Sequence, residues 1–304
     1  MQSKNIFGHI LAAITVIVWG TTFISTKVLL KDFNPVEILF FRFIAGFIAL
    51  FIAYPKFLKI KNIKEEILFI GAGLTGICLY YLLENIALTY TMASNVGVIV
   101  AVSPFFTAIL SHIFLKGEEH LKISFFLGFL FAITGIFIIS FNGQQLSLNP
   151  KGDILAVLAA LVWAIYSIIT RKIGALGYNT IQTTRRTFFY GIIFMIPVVM
   201  FSDFSMDLQL IIKPVNLSNL IFLSFGASAA CFVTWNCAVN ILGALKTSIY
   251  IYAIPVITIV TSVIILHEKI TPMAIIGTIL TLMGLLISES KIPFIKFKEK
   301  KPQL

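Results

Sequence analysis

Arg42 sits in the stretch FFRFIAGF and Glu84 in YYLLENIA, one cation and one acid inside runs that are otherwise almost wholly aromatic and aliphatic. A charge on a lipid-facing helix costs several kcal/mol by contested estimates, so such residues are expected to face protein, water or each other. Arg42 lies seven residues after Pro35, and Glu84 seven residues before Thr91. At about 1.5 Å per residue, both are roughly 10 Å inside the ends of their helices. The expectation is that they share the outer half of a central cavity and pair when nothing is bound there. Glu84 then has two candidate roles. A desolvated carboxylate can titrate and couple the movement of a bound molecule to protons; alternatively the pair is a structural tie between two helices.

Trp19 and Trp163 fall near the middle of their apolar blocks, not at the headgroup level where membrane tryptophan usually sits. With Tyr80, Tyr81, Tyr166, Trp235, Tyr250 and Tyr252 they are candidates for lining an amphipathic cavity. Aromatic rings there hold an apolar side chain or, by cation–π attraction, an ammonium group. Ordinary helix packing accounts for any one of these residues singly, whereas the two tryptophans as a pair favour a cavity. Pro104 and Pro255 each remove a backbone donor in mid-helix, leaving the carbonyls of Val100 and Ile251 without a helical partner. Kinks are expected at both, with hinges or substrate contacts as further roles.

These residues are carried by a chain of 304 residues that is 59% hydrophobic and 12% charged. A soluble domain has about a quarter of its residues charged, and apolar blocks of roughly 20 residues cross about 30 Å of hydrocarbon. The chain therefore reads as an all-α integral membrane protein. Blocks apolar on every side exclude a barrel, whose strands alternate. Ten spans are expected, near 6–29, 36–54, 67–90, 93–115, 122–140, 152–172, 180–201, 217–241, 244–266 and 271–289.

The net charge of +10 would suggest nucleic acid in a soluble protein; here its placement marks orientation. With a cytoplasmic N-terminus, that side collects Lys4, Lys56, Lys59, Lys61, Lys64, Lys116, Lys122, Arg171, Lys172, Lys246 and the lysines from Lys291 to Lys301. The other side receives Lys27, Lys31, Lys151, Lys213 and Lys269. Both termini are therefore expected on the cytoplasmic side of the plasma (inner) membrane, the basic tail 290–304 resting on anionic lipid. The first block reaches full span length without a small-residue cleavage site and is expected to be retained. Cys78, Cys231 and Cys237 fit neither a disulfide framework nor metal-ligand spacing. No metal and no cofactor is expected, and no phosphate-cradling glycine loop marks an ATP engine.

The chain also repeats itself. GHILAAITVIVWGTTFISTK from Gly8 matches GDILAVLAALVWAIYSIITR from Gly152 at a shift of 144 (152 minus 8), which aligns Trp19 with Trp163 and Arg42 with Arg186. Asn85 precedes Pro104 as Asn236 precedes Pro255, by 19 residues (104 minus 85, 255 minus 236). At that later shift of 151 (236 minus 85), Glu84 corresponds to Trp235, so the acid has no copy. Gly128 with Gly135 and Gly277 with Gly284 are glycine pairs with equal spacing. Two five-helix repeats, 6–140 and 152–289, account for these matches. An odd number of helices makes the second copy enter the membrane inverted, the arrangement of transporters whose site lies between the halves. Asn85, Asn236 and Arg186 thereby join the candidates, although Arg186, like Arg185, is near enough to a helix end to snorkel to the interface. The glycine faces fit close helix packing, within the protein or between two copies in a homodimer.

The segments VWGTTF, FFRFIAGF, ALTYTMASNVGVIVAVSPFFTAILSHIFLKGE, FLGFLFAITGIFIIS, LGALKTSIYIYAIPVITIVTSVIILHE and IIGTILTLMGLLIS resemble the EamA-type family of the drug/metabolite transporter superfamily. The resemblance covers about residues 6–289 as two copies of the family's repeat. It implies ten helices, cytoplasmic termini and export or uptake of small metabolites, often amino acids. One departure is Lys246 in LKTS, where the family builds a turn from small residues.

The expected function is a gradient-driven secondary transporter of a small polar or zwitterionic metabolite, an amino acid or related compound, working by alternating access. Arg42 would contact a carboxylate, Glu84 an amine or a proton, and the aromatic residues a side chain. Export of organic cations or drugs, using Glu84 and the rings, is the rival. A membrane-embedded enzyme would need a nucleophile and a base at one depth, and no such constellation is evident; a channel would lack saturable, slow exchange. The expected partners are a small-molecule substrate, the lipid bilayer and, if Glu84 titrates, a coupling proton; nucleic acid is not among them.

Overall fold

In a medium without water, backbone polar groups find partners only within a helix or a closed barrel, and the apolar blocks fold accordingly. A computed structural model describes residues 2–114, 123–140, 150–202 and 204–289. Every regular element among them is helical. The long helices are α1 (Gln2–Leu29), α2 (Pro35–Ala53), α3 (Ile63–Tyr90), α4 (Ala93–Phe114) and α5 (Ile123–Ser140). They continue with α6 (Pro150–Gly174), α7 (Thr180–Met200), α8 (Pro214–Leu242), α9 (Lys246–Leu266) and α10 (Pro272–Glu289).

Seven of these, α1 from Asn5 together with α2, α3, α4, α6, α8 and α9, are long and apolar enough to cross a membrane. The helices α5 and α10 have shorter apolar cores, Phe126–Ile138 and Pro272–Gly284. Helix α7 has 21 residues but opens on TIQTTRR, and these polar residues dilute its hydropathy. The chain is a multi-pass membrane protein. Lys116, Lys122 and the basic tail 290–304 lie outside the described residues, as does the 141–149 connection.

Local sequence sets the helix starts. In NPVE, Asn34 Oδ1 accepts from the N–H groups of Val36 and Glu37, both at 2.9 Å, while Glu37 Oε2 accepts from Asn34 N at 2.8 Å. This is a reciprocal capping box with proline at the first helical position. Asn62 caps α3 by accepting from Glu65 N, and Asn179 caps α7 by accepting from Ile181 N and Gln182 N. Between α8 and α9 the chain turns at Gly243, whose φ of 90° and ψ of 160° belong to a region essentially reserved for glycine. Lys246 stands in the short helical turn Ala244–Ser248 with its side chain exposed, while Thr247 beside it is buried.

Packing follows a repeated scheme. Helix α1 lies against α8 and α9, and α6 against α3 and α4; α2 meets α7 and α8, α3 meets α7, and α4 meets α9. Helices α5 and α10 pack chiefly on each other. Both glycine pairs serve that contact. A Cβ at Gly135 would fall on the Gly277 carbonyl and 2.6 Å from Thr281 N, and one at Gly284 on the Gly128 carbonyl and 2.5 Å from Ala132 N. Of the two uses expected for these glycines, packing within the chain is the one observed, so they are not available to a second copy.

The prolines interrupt their helices as expected. Helix α4 breaks at Ala101–Val102 just before Pro104, and α9 is wound as a 3-10 turn over Ile249–Ala253 just before Pro255. The tighter winding corrects one expectation, because the Ile251 carbonyl is not left alone: it accepts from Ile254 N–H.

The glycine contact can be checked directly. Gly135→Val or Gly284→Val should cost about 1–3 kcal/mol through overpacking and lower the midpoint of thermal unfolding in detergent. Gly226→Ala, where the nearest atom is 3.6 Å from the new Cβ, should leave it unchanged.

Candidate functional site

Two helices that carry candidate residues are unwound in the same way. Gly73–Leu79 in α3 and Phe222–Ala230 in α8 are π-helical. Such segments re-aim the side chains beyond them and occur frequently at functional sites. Directly after the first come Tyr80, Tyr81, Glu84 and Asn85, and directly after the second come Phe232, Trp235 and Asn236. Glycine makes room at the first segment: a Cβ at Gly76 would run into the Tyr166 ring.

These side chains meet in an aromatic cluster at mid-helix depth. Trp19 contacts Trp163 edge-on at 5.2 Å and Trp235 at 5.0 Å; Tyr80 lies 4.8 Å and Tyr166 5.0 Å from Trp163. Phe232 touches Trp19, Phe43, Tyr81, Trp163, Tyr166 and Phe188. Beside the cluster is a cavity bordered by Trp19, Thr22 and Phe23 of α1, Tyr80, Tyr81 and Glu84 of α3, Val100 and Ser103 of α4, Trp163 of α6, and Ile251 and Ile254 of α9. It is narrow, about 20 Å³, which is room for a water molecule or so.

The polar atoms around this cavity are unusual. Glu84 Oε1, Ser103 Oγ and Trp163 Nε1 are buried without a hydrogen-bond partner. Just outside it, the same holds for Arg42 Nη1 and Nη2 and for Asn85 Oδ1. Buried polar groups normally have partners, and each one without costs about 1–3 kcal/mol, more when charged.

Arg42 is 0% and Glu84 1% exposed, yet they form no ion pair. Arg42 donates from Nε to Ser228 Oγ at 2.6 Å, and its guanidinium covers the Tyr81 ring at 4.2 Å. The expected direct pairing is therefore corrected: the arginine leans on α8 and on a ring that itself borders the cavity. Asn85 donates to the Pro35 carbonyl at 3.1 Å. Asn236 is tied on both sides, accepting from Tyr166 OH at 3.2 Å and donating to Thr184 Oγ1 at 3.0 Å.

Other candidates lie elsewhere. Arg186 pairs with Glu66 at 2.6 Å, and Tyr190 also bonds that carboxylate. One and a half turns into α7, Arg186 meets an acid at the same end of the bundle and does not reach the cavity. Tyr250 bonds His9 at 2.8 Å, and Tyr252 is buried without bordering the cavity. Ser103, Ser228 and Phe232 are site residues that the sequence reading does not single out. Ser228 and Phe232 precede Trp235 by seven and three residues, a helical spacing in the sequence that ties them to that tryptophan.

Both ends of the bundle are tied. At the end that holds Leu29 and Pro35, Asp32 accepts from Asn216 at 2.7 Å and Lys213 at 3.2 Å, and Glu37 Oε1 accepts from Ser205 N at 2.7 Å. There Glu268 accepts from Ala93 N at 2.9 Å and Ser94 Oγ at 2.8 Å, while Lys27 donates to the carbonyls of Leu88 and Thr91. The bonds from Asn216 and Lys213 hold the Asp32 carboxyl below the ordinary carboxylate range. Its contribution to folding is thus present above that range and lost as pH falls and the carboxyl protonates. At the opposite end, Tyr178 donates to Glu65 at 2.6 Å, which raises the pKa of its hydroxyl, and Arg186 holds Glu66. Among the described residues no cluster of histidine, cysteine or acid is placed to hold a metal.

The helical bundle thus encloses a cavity walled mostly by aromatic and aliphatic side chains with a few unpartnered polar atoms, and its relatives carry the names of transporters. The family model described as "EamA-like transporter family" matches residues 6–141 and 150–289. The chain belongs to that family. An uncharacterized transporter of Archaeoglobus fulgidus is 27% identical, covering 96% of this chain and 99% of its own. A probable terminal-alkyne amino-acid exporter of Streptantibioticus cattleyicolor is 24% identical over 94% of this chain and 93% of its own. A probable amino-acid metabolite efflux pump of Escherichia coli is 24% identical over 92% and 93%. A solved crystal structure overlays on 95% of this chain and 97% of its own with a TM-score of 0.66 at 18% identity, a likeness of fold.

The tie around Asn236 is testable. Asn236→Leu leaves the Tyr166 hydroxyl and Thr184 without that partner and should cost about 1–3 kcal/mol, read as a lower unfolding midpoint. Tyr250→Phe, at a partly exposed bond, should stay within about 0.5 kcal/mol.

Proposed function

We propose that the chain is a gradient-driven secondary transporter of a small zwitterionic metabolite, an amino acid or a close relative, working by alternating access. Ten membrane crossings in two inverted repeats, 6–140 and 152–289, are part of this reading, with both termini in the cytoplasm and the plasma membrane as the site. Helix α7 then supplies a crossing despite its polar start, and α5 and α10 cross as a mutually packed pair. The paired packing scheme supports this: α1 on α8 is the counterpart of α6 on α3, and α2 on α8 that of α7 on α3. The π-helical segments support it too, since Gly73 plus the sequence shift of 151 is 224, inside Phe222–Ala230.

The observation that carries the proposal is the set of unpartnered buried atoms around one cavity. Glu84 Oε1 is an acceptor, Trp163 Nε1 a donor, and Ser103 Oγ either. A ligand bearing both an ammonium group and a carboxylate complements that set. Arg42, behind Tyr81, adds positive potential that a purely cationic cargo would not meet favourably, so the zwitterion is preferred to the organic-cation reading. Departure from symmetry points to the same spot. Trp19 Nε1 donates to the Ala227 carbonyl at 3.0 Å; the equivalent for Trp163 would be Gly76 (227 minus 151), and that bond is not made. The names of the Streptantibioticus and Escherichia relatives, both referring to amino acids, agree with this substrate class.

The narrow cavity and the ties at both ends correspond to an occluded state. Opening toward the outside releases Asp32, Glu37 and Glu268 from their partners, and opening toward the cytoplasm releases Glu65 and Glu66. Glu84 is the proposed proton carrier, since it alone among the buried groups bordering the cavity is an acid.

Two measurements test the reading. In a thermal-shift screen of the purified protein, one or more amino acids should raise the unfolding midpoint, as ligand bound to the native state must. Trp163→Phe should shrink that shift when each protein is compared with its own ligand-free midpoint; no response to any zwitterion would sink the substrate class. In proteoliposomes, uptake should saturate and respond to a pH gradient, and Glu84→Gln at normal protein level should lose the pH response. Wild-type rates retained by Glu84→Gln at every pH would remove the acid from the mechanism.

A further inference from the structure

A second cavity, of about 140 Å³, opens between the C-terminal end of α2 and the first turns of α7. Phe51, Phe57 and Phe189 form much of its wall, and Gln182, Arg185 and Arg186 its polar edge. The two arginines differ in what neutralises them. Arg186 has Glu66. Arg185 donates to the carbonyls of Tyr54 at 2.5 Å and Lys56 at 2.6 Å, and stacks over Phe51 at 5.0 Å and Phe57 at 5.6 Å. Carbonyl dipoles and ring faces fix a guanidinium in place but bring it no negative charge. The residue is 5% exposed, and among the described residues no carboxylate pairs with it.

A buried cation without a counter-charge is costly, and a guanidinium has five N–H donors, more than the two carbonyls take up. The cavity mouth therefore suits an anion. The connecting segment beside it strengthens the field, since Lys56, Lys59, Lys61 and Lys64 are all exposed there. The rest of the cavity is apolar and continues onto the bundle's outer surface at Phe189, 45% exposed. A free inorganic anion has no use for that wall, whereas a lipid does. Basic pockets between membrane helices near the interface are a recurrent place for acidic headgroups.

We propose that this cleft seats an anionic phospholipid, its phosphate against Arg185 and one acyl chain along Phe51 and Phe189. The site joins α2 to α7, so the bound lipid bridges the two halves of the chain at one end of the bundle. This assignment is independent of what the central cavity carries.

The test is lipid add-back to delipidated protein, with native mass spectrometry to count retained lipid. Phosphatidylglycerol should be retained roughly tenfold better than phosphatidylcholine. Arg185→Gln should erase that preference and Arg185→Lys keep part of it. Should Arg185→Gln fail to fold, Phe189→Glu, a change on the exposed rim that sets a carboxylate beside the phosphate, should erase it as well. Arg171→Gln, a change at an exposed cation of α6, should leave it intact. Equal retention of the two lipids overturns the proposal, as does unaltered preference in Phe189→Glu. So does displacement of phosphatidylglycerol by millimolar inorganic phosphate, which would mark a plain anion site.

Discussion

A guanidinium and a carboxylate are sealed inside this bundle without touching each other, and much of the surrounding structure answers to that constraint. Arg42 is held by one hydroxyl, Ser228, and two rings, Tyr81 and Phe43. None of these carries a charge. Removing an ion from water costs several kcal/mol even after relaxation, so the packing near Arg42 must over-determine its position. That packing is a continuous set of rings running from Phe188 through Phe43 and Phe232 to the two tryptophans. Ring faces offer the arginine an attractive potential that aliphatic side chains would not, which explains why aromatic residues and not leucine fill this level of the bundle.

The same constraint accounts for the π-helical segments. Each adds a residue to a turn and rotates the helix beyond it, so that in α3 Tyr80, Tyr81 and Glu84 all turn inward. In α8 the equivalent segment carries Ser228, which meets the guanidinium, and Ala227, whose carbonyl accepts from Trp19. The two helices thus use one device for different ends. Helix α8 supplies Ser228 Oγ to Arg42 and the Ala227 carbonyl to Trp19, whereas in α3 Glu84 Oε1 and Asn85 Oδ1 lack a partner. Polar groups complete on one side and incomplete on the other fit the binding site proposed above.

Composition and blocks of apolar residues make the helical membrane architecture readable, and periodic glycine makes the α5–α10 contact readable in kind if not in partner. The tryptophans, Tyr80, Tyr81 and Glu84 are legible because each is chemically out of place in its segment. Three features are not. A π-helical turn leaves no distinct composition, so how Glu84 faces relative to Arg42 cannot be read from counting residues by depth. Arg186 is equivalent to Arg42 by repeat position, but Glu66, which claims it, lies outside the apolar block of α3, among residues that read as a solvated connection. Ser103 and Ser228 are small polar residues among many in apolar helices, and only their neighbours in space give them a role.

The ties at the two ends of the bundle differ in kind. At the α3–α4 corner, Lys27 donates to the last carbonyls of α3 while Glu268 accepts from the first N–H groups of α4. A cation at a helix C-terminus and an anion at an N-terminus each complement the helix dipole, so this corner is gripped by one residue from the first half and one from the second. Its contacts go to backbone groups and to Ser94 Oγ, so they fix the facing ends of both helices. At the opposite end, Arg186, Tyr190 and Tyr178 hold the side chains of Glu65 and Glu66. Those bonds can be broken by rotating side chains, with water at hand to replace them. Each end is thus closed by side chains that can let go, which is what the proposed alternating access needs.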